Sequence, residues 1–234
     1  MYSGTREIAR VVGVSGAVGC LDGSQVVDAS DDSDLATHPI AIEAADPLLD
    51  VLEEHEPATF LLAQDEVLHD ERGDAFLPFI GIWSRRTVRL PNVFDREWFT
   101  ESRSVAALVS LGTEEQIRRA AEQIFARASM HVQIGFFDLS RRELGATMGM
   151  VIRAAGVDKA TALGRIAAHY GVSLEETVAV GDWVNDVTML RAAGRGFAMG
   201  QAPDEVKAAA TDVLEADAYS GGGIAEAAER AGLL

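Results

Sequence analysis

The sequence has one cysteine, two lysines and no long apolar run. A single cysteine, Cys20, excludes an intrachain disulfide and any cysteine-rich metal site. Lys159 and Lys207 are the only lysines, and every other basic residue is arginine. No apolar stretch approaches the roughly 20 residues that span a bilayer. The opening MYSGTREIAR lacks the apolar core of a signal peptide. A cytoplasmic location is therefore expected. Positive charge is scarce overall: 20 basic residues against 37 acidic ones give a formal net charge of −17. Such a chain repels a phosphate backbone and an anionic lipid surface, so neither nucleic acid nor membrane is the expected partner. The histidines at 38, 55, 69, 131 and 169 share no metal-ligand spacing. What is present is ordinary for a folded chain: 48% of residues are hydrophobic and 24% charged. At 234 residues the chain makes one or two domains with a sizeable core.

Apolar strand-like runs alternate with amphipathic helical stretches, which reads as α/β. Residues 4–12 read as a short helix, and Ala17 to Leu21 as a strand ending in the turn Asp22-Gly23. Gln25 to Val27 begins another strand, and Asp28 to Asp34 reads as a polar turn. A new unit begins near His38-Pro39. In it, 43–54 is an amphipathic helix, with Leu48, Leu49 and Leu52 at helical spacing. Thr59 to Ala63, Val67 to Leu68 and Val105 to Leu111 read as strands. Thr113 and Gln116 form a capping-box pattern that opens a helix through Ala128. His131 to Phe137 and Gly145 to Ile152 are further strands. Beyond Val157, Lys159 opens a helix, and Thr177 to Val180 is a short apolar strand. A helix over 184–193, a strand from Gly196 to Met199, a helix opened by Pro203 and a Gly221-Gly222-Gly223 loop before a last helix complete the chain.

The chemistry concentrates in Gly181-Asp182-Trp183-Val184-Asn185-Asp186, where two carboxylates and an amide meet at the junction of a buried strand and a helix N-terminus. In open α/β sheets ligands bind outside the carboxyl ends of the strands. Carboxylates there can hold Mg²⁺, a hard cation that prefers oxygen, and the helix N-terminus favours phosphate oxygens. The same residues also read as helix caps and dipole partners.

Context favours the chemical reading. Gly156-Val157-Asp158-Lys159-Ala160-Thr161-Ala162-Leu163 precedes this segment, while Gly196-Phe197-Ala198-Met199-Gly200-Gln201-Ala202 and the glycine loop follow it. The ordered series resembles the haloacid dehalogenase-like (HAD) phosphatases of the Cof-type branch, whose patterns are GVxKGxAL, GDxxND, GVAMGNA and a glycine-containing loop. The resemblance covers residues 150–230. It implies an α/β fold with a Rossmann-like core, incomplete at its N-terminus, formed by residues 1–39 and 150–234. An α+β cap would be inserted over 40–149. It implies Mg²⁺-dependent hydrolysis of a small phosphorylated metabolite such as a sugar phosphate. Lys159 and Asn185 would be catalytic and bind phosphate, Lys159 by neutralising charge and Asn185 by hydrogen bonding. Asp182 would hold Mg²⁺, with Asp186 helping directly or through water. The sequence departs from the pattern at Ala160, where the family has Gly, and at Gln201, where it has Asn. In the cap, Trp83, Arg85, Arg86 and Arg89 read as surface and packing residues, with contact to substrate as the alternative.

The family's nucleophile is an aspartate in a DxDGT motif, followed by a TGR. Neither occurs in these residues. Here Asp22-Gly23 occupies the place of the family's Asn-Gly turn, so both motifs would fall before Met1. Cys20-Leu21-Asp22-Gly23-Ser24 imitates DxDGT with Cys20 in the nucleophile's place, but a buried structural cysteine is the usual reading. Asp32 to Thr37 is a looser match that reads as an acidic hairpin loop. The expectation is that the chain as given turns over little or nothing. Three rival roles stand beside this one: a ligand-binding remnant without chemistry, a phosphomannomutase-like enzyme, and a subunit completed by a partner that carries the missing segment.

Overall fold

The computed structural model describes residues 1–140 and 144–234. Residues 141–143 of the expected cap span lie outside the described residues. Two compact units divide the chain, Met1–Gly156 and Val157–Leu234.

In the first unit, helix α1 (Tyr2–Val11) precedes strands β1 (Ala17–Cys20), β2 (Gln25–Asp28) and β3 (Ser33–Thr37). These strands form a three-stranded antiparallel sheet in that order. Tyr2, Cys20 and Val27 make its small buried cluster. The stretch Asp28–Asp34, read as a turn, in fact carries the start of β3. Asp32 to Thr37, read as an acidic hairpin loop, is therefore mostly strand; it is half exposed and polar, so it lacks an apolar signal. Asp32 turns there with φ +62° and accepts a hydrogen bond from the Tyr2 hydroxyl at 2.7 Å.

Helix α2 (Ala45–His55), β4 (Ala58–Ala63), β5 (Glu66–His69), α3 (Leu77–Ile80), β6 (Arg86–Arg89), β7 (Val105–Gly112), α4 (Glu114–Ala128), β8 (Val132–Asp138) and β9 (Met148–Ala154) follow. The six strands form one mixed sheet in the order β6-β5-β4-β7-β9-β8, parallel only between β5 and β6. Both faces of its centre are covered, which is why β4 reads as a continuous apolar run and is buried at every position. Leu61 and Leu108 face Leu48, Leu49 and Leu52 of α2 and Ile117 and Ile124 of α4. Phe60, Leu62 and Val109 face the opposite way, toward Val67 and Ile80. Each such Leu or Ile contributes about 1.5–3 kcal/mol by leaving water. Thr59 and Ser110, both fully buried, satisfy each other across β4 and β7 at 2.9 Å. The expected capping box at Thr113 and Gln116 is present. The strand expected over Gly145–Ile152 runs instead from Met148 to Ala154, and its continuation holds the buried Arg153, whose Nη1 lies 2.8 Å from Asp22.

The second unit contains α5 (Lys159–His169), β10 (Val178–Gly181), α6 (Val187–Ala192), β11 (Arg195–Ala198), α7 (Asp204–Ala209), β12 (Asp212–Val213) and α8 (Gly223–Ala231). Its sheet is wholly parallel, β10-β11-β12, with β10 at an edge. Alternating strands and helices require this arrangement, because parallel neighbours need a crossover. The chain is of the α/β class: the second unit has a parallel, Rossmann-like sheet, and the first is α+β. No helix among the described residues is long and apolar enough to cross a membrane.

Candidate active site

The second unit carries its charged groups at the carboxyl ends of its parallel strands. Strand β10 ends at Gly181, and Asp182 follows it into solvent. A short 3-10 turn, Val184–Asp186, then leads into α6, so the helix expected from Val184 begins three residues later. The reason is local. Asp186 folds back under the turn, and its Oδ2 accepts hydrogen bonds from the Asp182 and Trp183 N–H groups at 2.9 and 3.0 Å. That return requires Gly181. A Cβ there would lie 2.5 Å from the Cβ of Asp186, closer than packed atoms approach.

Asp186 is 4% exposed, and its Oδ1 receives the Lys159 ammonium at 2.5 Å. Lys159 is the first residue of α5, where Asp158 and Thr161 form a reciprocal capping box. The box fixes where the helix starts and hence where the lysine stem leaves it. The Lys159 side chain is 30% exposed. Asp182 is exposed beside it, and its Oδ2 accepts a hydrogen bond from Gln201 Nε2 at 3.2 Å. Asn185 is exposed in the same turn.

The strand ends open on a cavity of about 400 Å³ lined by Asp182, Met199, Asp217 and the Gly221–Gly223 loop. Its far wall is held by carboxylates turned onto backbone N–H groups. Those of Ser220 and Tyr219 hold Asp217 below the usual carboxylate range. Those of Glu215 and Ala216 do the same for Glu226, with help from Arg230.

Lys159, Asp182 and Asp186, singled out from the sequence, therefore stand together, with Asn185 in the same turn. Gln201, noted there only as a departure from a pattern, joins them through Asp182. No three His, Cys, Asp or Glu side chains among the described residues gather into a metal cage. Mg²⁺ needs no such cage, since it takes one or two carboxylates plus waters and phosphate oxygens. Asp182, an exposed carboxylate at a strand end, suits that mode as a single protein ligand. Both oxygens of Asp186 already accept protein hydrogen bonds.

Other residues considered from the sequence lie in the first unit. Cys20 is 5% exposed, and burial pushes its thiol up, the reverse of an activated nucleophile. Trp83 packs against Phe137 with ring centroids 6.2 Å apart. Arg85 pairs with Glu7, Arg86 with Glu66 and Arg89 with Asp74.

The haloacid dehalogenase-like hydrolase family profile matches residues 1–227. The 5-amino-6-(5-phospho-D-ribitylamino)uracil phosphatase YcsE of Bacillus subtilis is 37% identical over 70 residues, 30% of this chain and 28% of that protein. The match thus spans less than a third of that curated relative's length. A haloacid dehalogenase-like hydrolase from Bacteroides thetaiotaomicron superimposes with a TM-score of 0.79 at 20% identity, over 99% of this chain and 83% of that one. A HAD subclass IIB sugar phosphatase superimposes with a TM-score of 0.72 at 22% identity, over 97% and 80% of the two chains. These two structures share the fold.

Proposed function

For a chain that belongs to the haloacid dehalogenase-like hydrolase family, we propose Mg²⁺-dependent hydrolysis of a phosphate monoester, with a sugar phosphate or similar small metabolite as substrate. The observation that carries this reading is the Lys159–Asp186 contact of 2.5 Å at the carboxyl end of β10, with Asp182 exposed next to it. Phosphoryl transfer is catalysed mainly by positioning and by stabilising charge on the transferred group. Lys159 supplies a fixed positive charge, and Asp186 holds that ammonium in place. Asn185 donates to phosphate oxygens from the same turn. Asp182 would hold Mg²⁺, with Asp186 helping directly or through water. Bound there, the ion would neutralise charge on the phosphoryl oxygens. The relatives named as phosphatases support the reaction class, and the sugar phosphatase supports the substrate class.

In this reading residues 1–39 and 150–234 form the core and 40–149 the cap, and the protein works in the cytoplasm. The 234 residues contain no DxDGT, so alone they should hydrolyse little. Uncatalysed monoester hydrolysis is slow enough for enzymes to accelerate it up to about 10²¹-fold, and positioning without a nucleophile does not reach that.

The test is phosphate release from a panel of sugar phosphates, with Mg²⁺ and with EDTA. It compares protein from its native source, with its intact mass measured, to the recombinant 234-residue chain. Mg²⁺-dependent release by the native form, lost about 10²- to 10³-fold in Lys159→Ala, is the expected result. Turnover by the 234-residue chain alone would remove the requirement for a further nucleophile. Failure of both forms on every ester would overturn the phosphatase reading.

A further inference from the structure

We infer that Gln201 is a positioning residue for Asp182: its side-chain amide ties that carboxylate to the backbone of the Asp217–Gly221 loop and fixes which oxygen faces a cation. The inference rests on the reading of Asp182 as the Mg²⁺ ligand.

Two hydrogen bonds define the tie. Gln201 Nε2 donates to Asp182 Oδ2 at 3.2 Å, and Gln201 Oε1 accepts from the Ala218 N–H at 3.1 Å. Chemistry fixes the direction of both. A backbone N–H can only donate, so the amide atom facing Ala218 is the oxygen. The amino group then faces Asp182, and an ionised carboxylate only accepts. Both bonds therefore agree on one amide orientation, which a carboxamide does not reveal by shape alone.

The backbone explains why Gln201 stands there. The parallel pairing of β11 with β12 continues beyond the strands, through Leu214 N–H to Ala198 O and Gly200 N–H to Ala216 O, each 2.9 Å. Ala218 comes two residues further along, and the Gln201 side chain supplies its acceptor. The side chain thus extends the ladder and spends its other end on Asp182. The loop it grips is itself held, with Asp217 accepting from Tyr219 and Ser220 and Glu226 accepting from Glu215 and Ala216.

The consequence is directional. An exposed aspartate turns freely about its last torsion unless one oxygen is held. With Oδ2 engaged by Gln201, Oδ1 is presented to the cation. By linkage, a cation on Asp182 must in turn be felt at Ala218. Asparagine, one methylene shorter, is expected not to span both partners.

The test uses the 234-residue protein with Mn²⁺ as the probe ion, free Mn²⁺ being read by electron paramagnetic resonance. A parallel Mg²⁺ titration follows the Ala218 amide by ¹H–¹⁵N NMR. Gln201→Met keeps length and loses polarity, Gln201→Asn keeps polarity and loses length, and Asp182→Asn removes the ligand charge. Gln201 is exposed, and thermal melts check that each variant folds. Mn²⁺ affinity is expected to fall about ten-fold in both Gln201 variants, as for other residues that orient a metal ligand. The Ala218 amide is expected to shift with Mg²⁺ in the wild type and not in Gln201→Met. If Asp182→Asn loses Mn²⁺ while both Gln201 variants bind as the wild type does, the role of Gln201 is overturned and the reading of Asp182 stands. If Asp182→Asn binds Mn²⁺ unchanged, the reading of Asp182 fails and this inference fails with it. A wild-type Ala218 amide that ignores bound Mg²⁺ overturns the tie without any variant.

Discussion

Two buried carboxylates in this protein solve the same electrostatic problem and end in different places. Asp70, in the first unit, is 1% exposed. It is gripped by the Arg72 guanidinium, with Nε at 3.1 Å, and accepts from the backbone N–H groups of Arg72 and Val93 at 3.0 and 3.1 Å. Asp186, in the second unit, is 4% exposed and receives Lys159 and two backbone N–H groups. The cations differ. Arg72 engages several partners: Nη2 also donates to Asn92 at 3.1 Å, Nη1 lies 3.9 Å from Glu56, and its face lies 4.3 Å over the Phe94 ring. Lys159 is a compact ammonium with three donors on a flexible stem, and it stands at the carboxyl ends of parallel strands beside an exposed Asp182. The first arrangement closes on itself and ties a loop to the sheet. The second keeps charge facing outward, where a ligand can meet it. Burial and pairing alone do not distinguish the two; their place in the fold does.

That contrast can be broken first at Asp70. Asp70→Ala leaves a half-buried guanidinium and two backbone N–H groups without their partner and should cost about 1–3 kcal/mol. The measurement is urea unfolding followed by emission from Trp83 and Trp98, the tryptophans of the first unit. Mn²⁺ affinity should not change. A loss below about 1 kcal/mol would place Asp70 among ordinary surface pairs.

Asp186→Ala should cost a similar amount, about 1–3 kcal/mol, because it too takes the partner from a half-buried cation and two backbone N–H groups. It should also weaken Mn²⁺ binding, since the Asp182 turn loses its anchor. Trp183, the tryptophan of the second unit, reports this unfolding separately.

Acid sharpens the comparison further. Burial alone would push the Asp70 carboxyl up, but the Arg72 side chain and the Val93 and Arg72 amides outweigh it and hold it below its ordinary value. A depressed carboxyl adds stability that is complete above its unfolded value, near pH 4. That stability is lost as the pH falls through the lower folded value. The urea midpoint of the first unit should therefore drop below about pH 4, and in Asp70→Asn that drop should shrink. An unchanged slope in the variant would assign the acid limb to other groups.

The smallest effect is expected from Lys159→Arg. Charge is kept, so stability should shift by no more than about 0.5 kcal/mol, measured by the same urea titration. Phosphate release by the native-source form should still fall, because a fork held by Asp186 does not reproduce a point charge. Retained activity would show that any cation serves there.

What could be read from the sequence divides by range. Lys159, Asp182, Asn185 and Asp186 were legible because one strand end, one turn and two helix starts place them, all within local chain. The bond between Gln201 and Asp182 was not, since it depends on how β11 registers with β12 and on Ala218, 17 residues beyond Gln201. Strands β6 (RTVR) and β12 (DV) escaped because they are short, polar and exposed, with partners that only the fold supplies. The arginines at 85, 86 and 89 read as surface and packing residues with substrate contact as the alternative, and Glu7, Glu66 and Asp74 beside them fit the surface reading. The central strands and the α4 cap were plain in advance, because burial and capping leave their marks within a few residues.

Gly181 carries a consequence for how this segment can change over evolutionary time. The Asp186 side chain occupies the space that any larger residue would need, with its Cβ 2.5 Å from where a new Cβ would stand. A lineage therefore cannot exchange the glycine first. It must shrink or withdraw the residue at 186 beforehand, and in doing so it gives up the anchor of the Lys159 charge. The two positions are bound into an order of substitution, and every intermediate along that order has already lost that anchor.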